Sequence, residues 1–71
     1  MEKVKFLYLL GKHIAKLRKE KGWTQDDLAY HCNKERQSID RVENGKINPT
    51  AYYLSEIAAA LEVPVSELFN F

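Results

Sequence analysis

Hydrophobic residues recur at steps of three and four over two long stretches of the chain, which is the spacing of one face of an α-helix. The first stripe consists of Leu7, Leu10, Ile14 and Leu17. It predicts a helix over about residues 3–21. The second stripe consists of Leu54, Ile57, Ala58 and Leu61. It predicts a helix over about residues 51–62.

Residues typical of helix ends place two further helices between these stripes. Gly22 suits the left-handed position just past the end of the first helix. Thr24 and Asp27 form a capping-box pattern that starts the second helix. Asn33 adopts the left-handed conformation more readily than most residues, which predicts a sharp turn there. A third helix then covers about residues 35–44.

The same signals complete the predicted fold. Gly45 ends the third helix, and Thr50 can cap the fourth. Pro64 begins a last short helix with the sequence VSELF. No segment has the alternating pattern of a strand, so the chain is predicted to be an all-α fold of five helices.

The third helix has a buried side and a polar outward side. Its apolar residues, Ile39 and Val42, define the buried side. Steps of about 100° per residue then place Gln37, Arg41 and Asn44 on the opposite side. Arginine pairs bidentately with guanine, and glutamine or asparagine with adenine, in the major groove of DNA. The second and third helices therefore fit a helix-turn-helix. The outward side of the third helix is either an ordinary solvated face, since most outward helical faces are polar, or a face that contacts DNA bases.

Three charged residues complete this view of the third helix. Asp40 flanks the outward side, and Arg36 in the first turn is long enough to reach that side. Glu43 falls on the margin of the core, about 40° from Ile39. One of the acids of this helix is therefore expected to point away from solvent.

Charge is distributed unevenly along the chain. All 11 lysines and arginines lie in residues 1–46, together with seven acids, so this part has a net charge of +4. Residues 47–71 contain three acids and no base. Any polyanion is therefore expected to bind the first two-thirds of the chain.

The remaining composition favours a cytoplasmic protein that is not an enzyme. No apolar run approaches the roughly 20 residues of a membrane span. Cys32 is the only cysteine, which fits a reducing compartment, and it is interpreted as a small core residue. No nucleophile–base pair or metal-ligand set is recognisable. No cofactor, metal or small-molecule ligand is expected.

Three segments carry a family resemblance: IAKLRKEKGWTQDDLA, RQSIDRVENGK and NPTAYYLSEIAAALEVPVSELF. In this order and at this spacing they resemble the Xre/Cro family of helix-turn-helix DNA-binding domains, which includes lambdoid phage repressors. The resemblance covers residues 10–69. It implies one five-helix domain over residues 1–71, a helix-turn-helix at about residues 24–44 and a recognition helix at about residues 35–44.

The resemblance also implies which residues contact DNA. Bases would be contacted by Arg36, Gln37 and Arg41, with Ser38 and Asp40 as further candidates. Phosphates would be contacted by Gln25, Asn44 and Lys46. Asp40 either accepts a hydrogen bond from a cytosine amino group or repels wrongly placed phosphates, and the sequence leaves both alternatives open.

Arg18 and Glu43 match a pair that forms an internal salt bridge in this family, which agrees with the inward position of Glu43. Three positions depart from the family pattern. Asn33 replaces the usual glycine, Lys34 a hydrophobic residue, and Glu35 a serine or threonine. Lys34 can lay its aliphatic stem along the core and keep its ammonium in water.

Both ends of the chain are rich in apolar residues, in the segments FLYLL and ELFNF. The two ends either cover each other within one chain or form a homodimer interface through Leu68, Phe69 and Phe71. The overall expectation is a regulator of transcription that binds an inverted repeat in double-stranded DNA as a dimer. The alternative is a protein-interaction module with the same fold, in the manner of an antitoxin or a regulatory partner, with little DNA binding of its own.

Overall fold

The computed structural model describes all 71 residues and contains four α-helices followed by a 3-10 helix. The helices are α1 (Lys3–Glu20), α2 (Gln25–His31), α3 (Arg36–Glu43) and α4 (Ala51–Leu61), and the C-terminal 3-10 helix spans Val65–Phe69. The all-α fold and the order of the helical segments are as predicted. The predicted bounds of α1, α3 and α4 were each one or two residues too long, because residues assigned to helix ends serve as caps.

Side-chain caps begin two of the helices as the sequence predicts. The Thr24 hydroxyl accepts a hydrogen bond from the Asp27 amide at 3.1 Å, and the Asp27 carboxylate accepts one from the Thr24 amide at 2.8 Å. The Thr50 hydroxyl accepts from the Tyr53 amide at 3.0 Å, at the start of α4. Glu35 precedes α3 without a side-chain cap. The first amides of α3 are thus left without the usual hydroxyl acceptor.

The turns use left-handed backbone at the predicted positions and at one more. Asn33 has a φ of 57°, Gly22 a φ of 76° and Gly45 a φ of 68°. Glu62, after α4, also lies in the left-handed region, with a φ of 60°. The Asn33 conformation turns the chain sharply between α2 and α3, so that the two helices can pack as a helix-turn-helix.

One hydrophobic core joins all five helical segments. Its largest fully buried side chains are Ile14, Leu28, Ile39, Ile57 and Leu68. Cys32 is buried among them, as predicted, and burial raises the pKa of its thiol. Because the core takes residues from every segment, α3 has a fixed orientation relative to the rest of the chain.

The backbones of α1 and α3 approach each other at Gly11. A Cβ atom at this position would overlap the carbonyl oxygens of Val42 and Glu43. Glycine is therefore required here for lack of space, although its backbone is helical. Hydrophobic periodicity along α1 does not predict this contact.

The two ends of the chain cover each other within one molecule. The Phe6 ring lies 6.2 Å from the Phe69 ring and 5.7 Å from the Phe71 ring, centroid to centroid. His13 Nε2 lies 2.9 Å from the Glu67 carbonyl oxygen. Of the three residues predicted as possible dimer contacts, Leu68 is 0% exposed and packed in the core of its own chain, whereas Phe69 and Phe71 are exposed. None of the helices is both long enough and apolar enough to cross a membrane.

Candidate nucleic-acid interface

The outward side of α3 presents the polar side chains that the helical geometry places there. Gln37, Arg41 and Asn44 are all exposed. Arg36 is also exposed, and its Nε lies 3.8 Å from a carboxylate oxygen of Asp26 in α2. Since this distance is long and both side chains are in water, the contact leaves the Arg36 guanidinium free to reach another anion.

A buried ion pair fixes the opposite side of α3 to α1. Arg18 Nε donates to Glu43 Oε2 at 2.7 Å, and Arg18 Nη2 donates to Glu43 Oε1 at 2.9 Å. A third nitrogen, Nη1, donates to the Trp23 carbonyl oxygen at 2.8 Å. Arg18 and Glu43 are only 7% and 5% exposed. The hydrogen bonds to Glu43 raise the pKa of the Arg18 guanidinium, so Arg18 keeps its charge in this buried position.

Asp40 lies at the centre of a hydrogen-bond network that joins α2 to α3. The Gln25 Nε2 atom donates to Asp40 Oδ1 at 3.2 Å and to Glu43 Oε1 at 3.0 Å. The Asn44 Nδ2 atom donates to the Asp40 carbonyl oxygen at 2.8 Å and to Asp40 Oδ1 at 3.1 Å. Asp40 thus holds two side chains that the family resemblance assigns to phosphate. The sequence predicted only direct roles towards DNA for this carboxylate.

This network changes what Gln25 can offer to DNA. A primary amide has two N–H groups, and both of those on Gln25 are occupied by carboxylates. A hydrogen bond from the Gln25 side chain to phosphate therefore requires the exchange of an internal one.

Ser38 does not lie with Gln37 and Arg41 on the outward side. Its hydroxyl is hydrogen-bonded to the Tyr53 hydroxyl of α4 at 2.5 Å, and its side chain is half-buried. Ser38 was predicted as a further base contact, and its hydroxyl would have to exchange the bond to Tyr53 for one to a base. Tyr53 thereby connects α4 to α3, whereas its neighbour Tyr52 is 74% exposed.

Lys34, in the turn between α2 and α3, has a partner that the sequence did not predict. Its ammonium lies 2.9 Å from Glu56 Oε1 of α4 and 4.8 Å from the centre of the Tyr53 ring. The ammonium is therefore paired, and not only hydrated as expected. Lys34–Glu56 and Ser38–Tyr53 together connect the N-terminal end of α3 to α4; we call these four residues the α4 tether.

Lys46 is exposed in the loop after α3. Its amide donates to the Arg41 carbonyl oxygen at 2.9 Å, which keeps the loop close to the end of the helix. The preceding Gly45 packs against the backbone of Leu7 and Tyr8 in α1. The loop, the outward side of α3 and one side of α1 thus form a continuous surface.

Comparison with known proteins agrees with this arrangement. Residues 14–68 match the family model HTH_3, described as helix-turn-helix. An uncharacterized HTH-type transcriptional regulator of Sinorhizobium fredii, y4dJ, is 40% identical over 60 residues, which cover 84% of this chain and 78% of that protein. Three other curated relatives are longer, and the chain covers 41% to 57% of them.

Two solved structures of restriction-modification controller proteins superpose closely on this chain. The restriction-modification controller protein C.AhdI of Aeromonas hydrophila superposes with a TM-score of 0.87 at 32% identity, over 89% of this chain and 96% of that one. The controller protein C.Esp1396I, solved as a tetramer in complex with its natural 35 base-pair operator, superposes with a TM-score of 0.82 at 39% identity. That match covers 90% of this chain and 84% of the other.

Proposed function

This chain belongs to the helix-turn-helix family, and we propose that it is a regulator of transcription that binds double-stranded DNA in a sequence-specific way. The observation that carries the proposal is the outward side of α3, where Arg41, Gln37 and Asn44 are exposed side by side. Arginine and glutamine are residue types that pair with base edges in the major groove, and Asn44 lies beside them at the end of the helix. The buried ion pair Arg18–Glu43 fixes the opposite side of α3 to α1 and so sets the orientation of the outward side.

In this proposal Arg41, Gln37 and Arg36 contact base edges. Lys46 contacts phosphate from the loop after α3. Asn44 and Gln25 lie where phosphate contacts are expected, but they first have to leave or share their bonds to Asp40. Asp40 therefore acts mainly on these two side chains rather than on a base.

We further propose that the protein binds an inverted repeat as a homodimer. C.Esp1396I, a related controller protein, forms a tetramer on its operator. In this chain Phe69 and Phe71 remain 39% and 44% exposed although they pack on Phe6, and Met1 and Val4 near the same end of α1 are exposed as well. An apolar surface of this kind favours association, and a two-fold dimer contacts two half-sites about one helical turn apart.

The test compares Arg41→Ala with Lys46→Ala on duplexes that the wild-type protein selects from a random-sequence pool. Arg41→Ala should cost about 1–3 kcal/mol of binding free energy and relax specificity at one base pair, because it removes a base contact. Lys46→Ala should weaken binding to all sequences alike and reduce the salt slope by about 1, because it removes a phosphate contact.

Equal losses on every sequence for Arg41→Ala would reject its role in base recognition. If the wild-type protein shows no salt-dependent binding to any duplex and instead retains a different protein in a pull-down, the domain is an interaction module and the proposal is wrong.

A further inference from the structure

One side of α1 carries a row of lysines whose charges no other residue neutralises. Steps of about 100° place Lys12, Lys16 and Lys19 within about 60° of one another around the helix. All three are exposed, and none of their ammonium groups forms an ion pair. Lys21 and Lys34, by contrast, are paired with Glu62 and Glu56. We call Lys12, Lys16 and Lys19 the α1 lysine row.

The α1 lysine row lines a surface cleft together with residues of the recognition unit. The cleft has a volume of about 600 Å³, and its other lining residues include Gln25, Asp40 and Asn44. The α1 lysine row therefore lies beside the positions where phosphate contacts are expected, at the edge of the outward side of α3. The Lys12 ammonium lies 5.4 Å from the centre of the Tyr8 ring, so the Lys12 side chain extends along the side of α1.

The acids in this cleft are mostly engaged with other groups. Glu43 is paired with Arg18, and Asp40 accepts hydrogen bonds from Gln25 and Asn44. Glu20 is the acid of the cleft that forms neither an ion pair nor a side-chain hydrogen bond. The pair Arg18–Glu43 is neutral as a unit, whereas the bonds of Asp40 come from uncharged amides. Three ammonium groups thus face the carboxylates of Glu20 and Asp40, which leaves the cleft one positive charge in excess and favours an anionic ligand.

We propose that the α1 lysine row binds DNA phosphates next to the segment contacted by α3, so that the DNA interface extends from the helix-turn-helix onto α1. This inference rests on the proposed function, since the same duplex supplies both contacts. Such contacts add affinity without sequence information, because every base pair carries the same phosphates.

The test compares two double variants that remove the same charge from α1. Lys12→Gln with Lys16→Gln removes two ammoniums of the row, and Lys3→Gln with Lys5→Gln removes two that lie outside the cleft. The probes are a duplex selected by the wild-type protein and a scrambled duplex of equal length, titrated at several salt concentrations. Urea unfolding of each variant verifies that it is folded.

We expect the first variant to bind both duplexes more weakly and to reduce the slope of log affinity against log salt by about 2, one unit for each lost phosphate contact. The ratio of affinities for the two duplexes should stay as in the wild type, since no base contact is lost. The second variant should keep a wild-type slope.

An unchanged slope for Lys12→Gln with Lys16→Gln would overturn the inference, and so would an equal reduction in the control variant. The proposed function is tested separately by Arg41→Ala. If Arg41→Ala loses specificity while the lysine variant binds as the wild type does, only this inference fails. If the wild-type protein binds neither duplex, the proposed function fails and this inference with it.

Discussion

Helix α3 is anchored differently at its two ends. Its C-terminal end is fixed to α1 by buried contacts, the ion pair Arg18–Glu43 and the close backbone approach at Gly11. Its N-terminal end is held to α4 by the α4 tether, where the side chains of Lys34 and Glu56 are 28% and 26% exposed. Both anchors contain an ion pair. The pair at the C-terminal end is buried, whereas the pair at the N-terminal end is partly exposed to water.

Burial decides what each anchor contributes. A buried charge that loses its partner remains unsatisfied, so the contact to α1 should dominate the stability of the fold. The Lys34 and Glu56 side chains are partly exposed, so water can reach either of them once the other is removed, and the α4 tether should be more tolerant of substitution than the contact to α1. This is consistent with Lys34 standing where the family usually has a hydrophobic residue.

The largest effect is expected from Arg18→Ala. The substitution leaves Glu43 charged, buried and without its arginine, so the free energy of unfolding should fall by about 3–5 kcal/mol. Urea unfolding measures this loss. Lys19→Ala on the exposed side of α1 is the control and should stay within about 0.5 kcal/mol of the wild type. Similar small losses for both variants would mean that the C-terminal anchor is no stronger than a surface contact.

A smaller but clear loss is expected from Gly11→Ala. Alanine normally stabilises a helix relative to glycine, but here its Cβ would overlap the carbonyl oxygens of Val42 and Glu43. Forcing α1 and α3 apart should cost about 1–3 kcal/mol in the same unfolding experiment. A gain in stability would show that the two backbones are not in close contact.

The smallest effect is expected at the α4 tether, whose contribution to stability should be lost at alkaline pH. The hydrogen bond to Glu56 raises the pKa of Lys34, and burial raises the pKa of Tyr53. A group whose pKa is higher in the folded than in the unfolded state stabilises the fold fully at pH values below its unfolded-state pKa. This stabilisation is lost as the pH rises through its folded-state pKa. The free energy of unfolding should therefore decrease from about pH 10 upward.

Unfolding of Lys34→Met with Tyr53→Phe over the same pH range isolates this contribution. The double variant should lose less stability than the wild type between neutral and alkaline pH. Tyr52→Phe is the matched control, because Tyr52 is exposed, and it should follow the wild-type curve. If the free energy of unfolding falls equally with pH in the double variant and the wild type, Lys34 and Tyr53 do not cause the alkaline loss of stability.

Much of the candidate interface could be predicted from the sequence, because its geometry is local. The outward position of Gln37 and Arg41 and the inward position of Glu43 follow from rotation around one helix. Ser38 and Asp40 were harder to assign because they lie between the two sides. For such residues the neighbouring helix decides the partner: Tyr53 for Ser38 and Gln25 for Asp40.

The sequence by itself determined the order of the helices, their caps and turns, and the polar side of α3, since each of these depends on residues a few positions apart. Only the tertiary structure decided that Asp40 occupies the amides of Gln25 and Asn44, that Lys34 pairs with Glu56, and that α1 and α3 meet at a glycine. Most of these contacts join residues 15 or more positions apart, and they depend on how two helices cross, which hydrophobic periodicity along one helix does not specify.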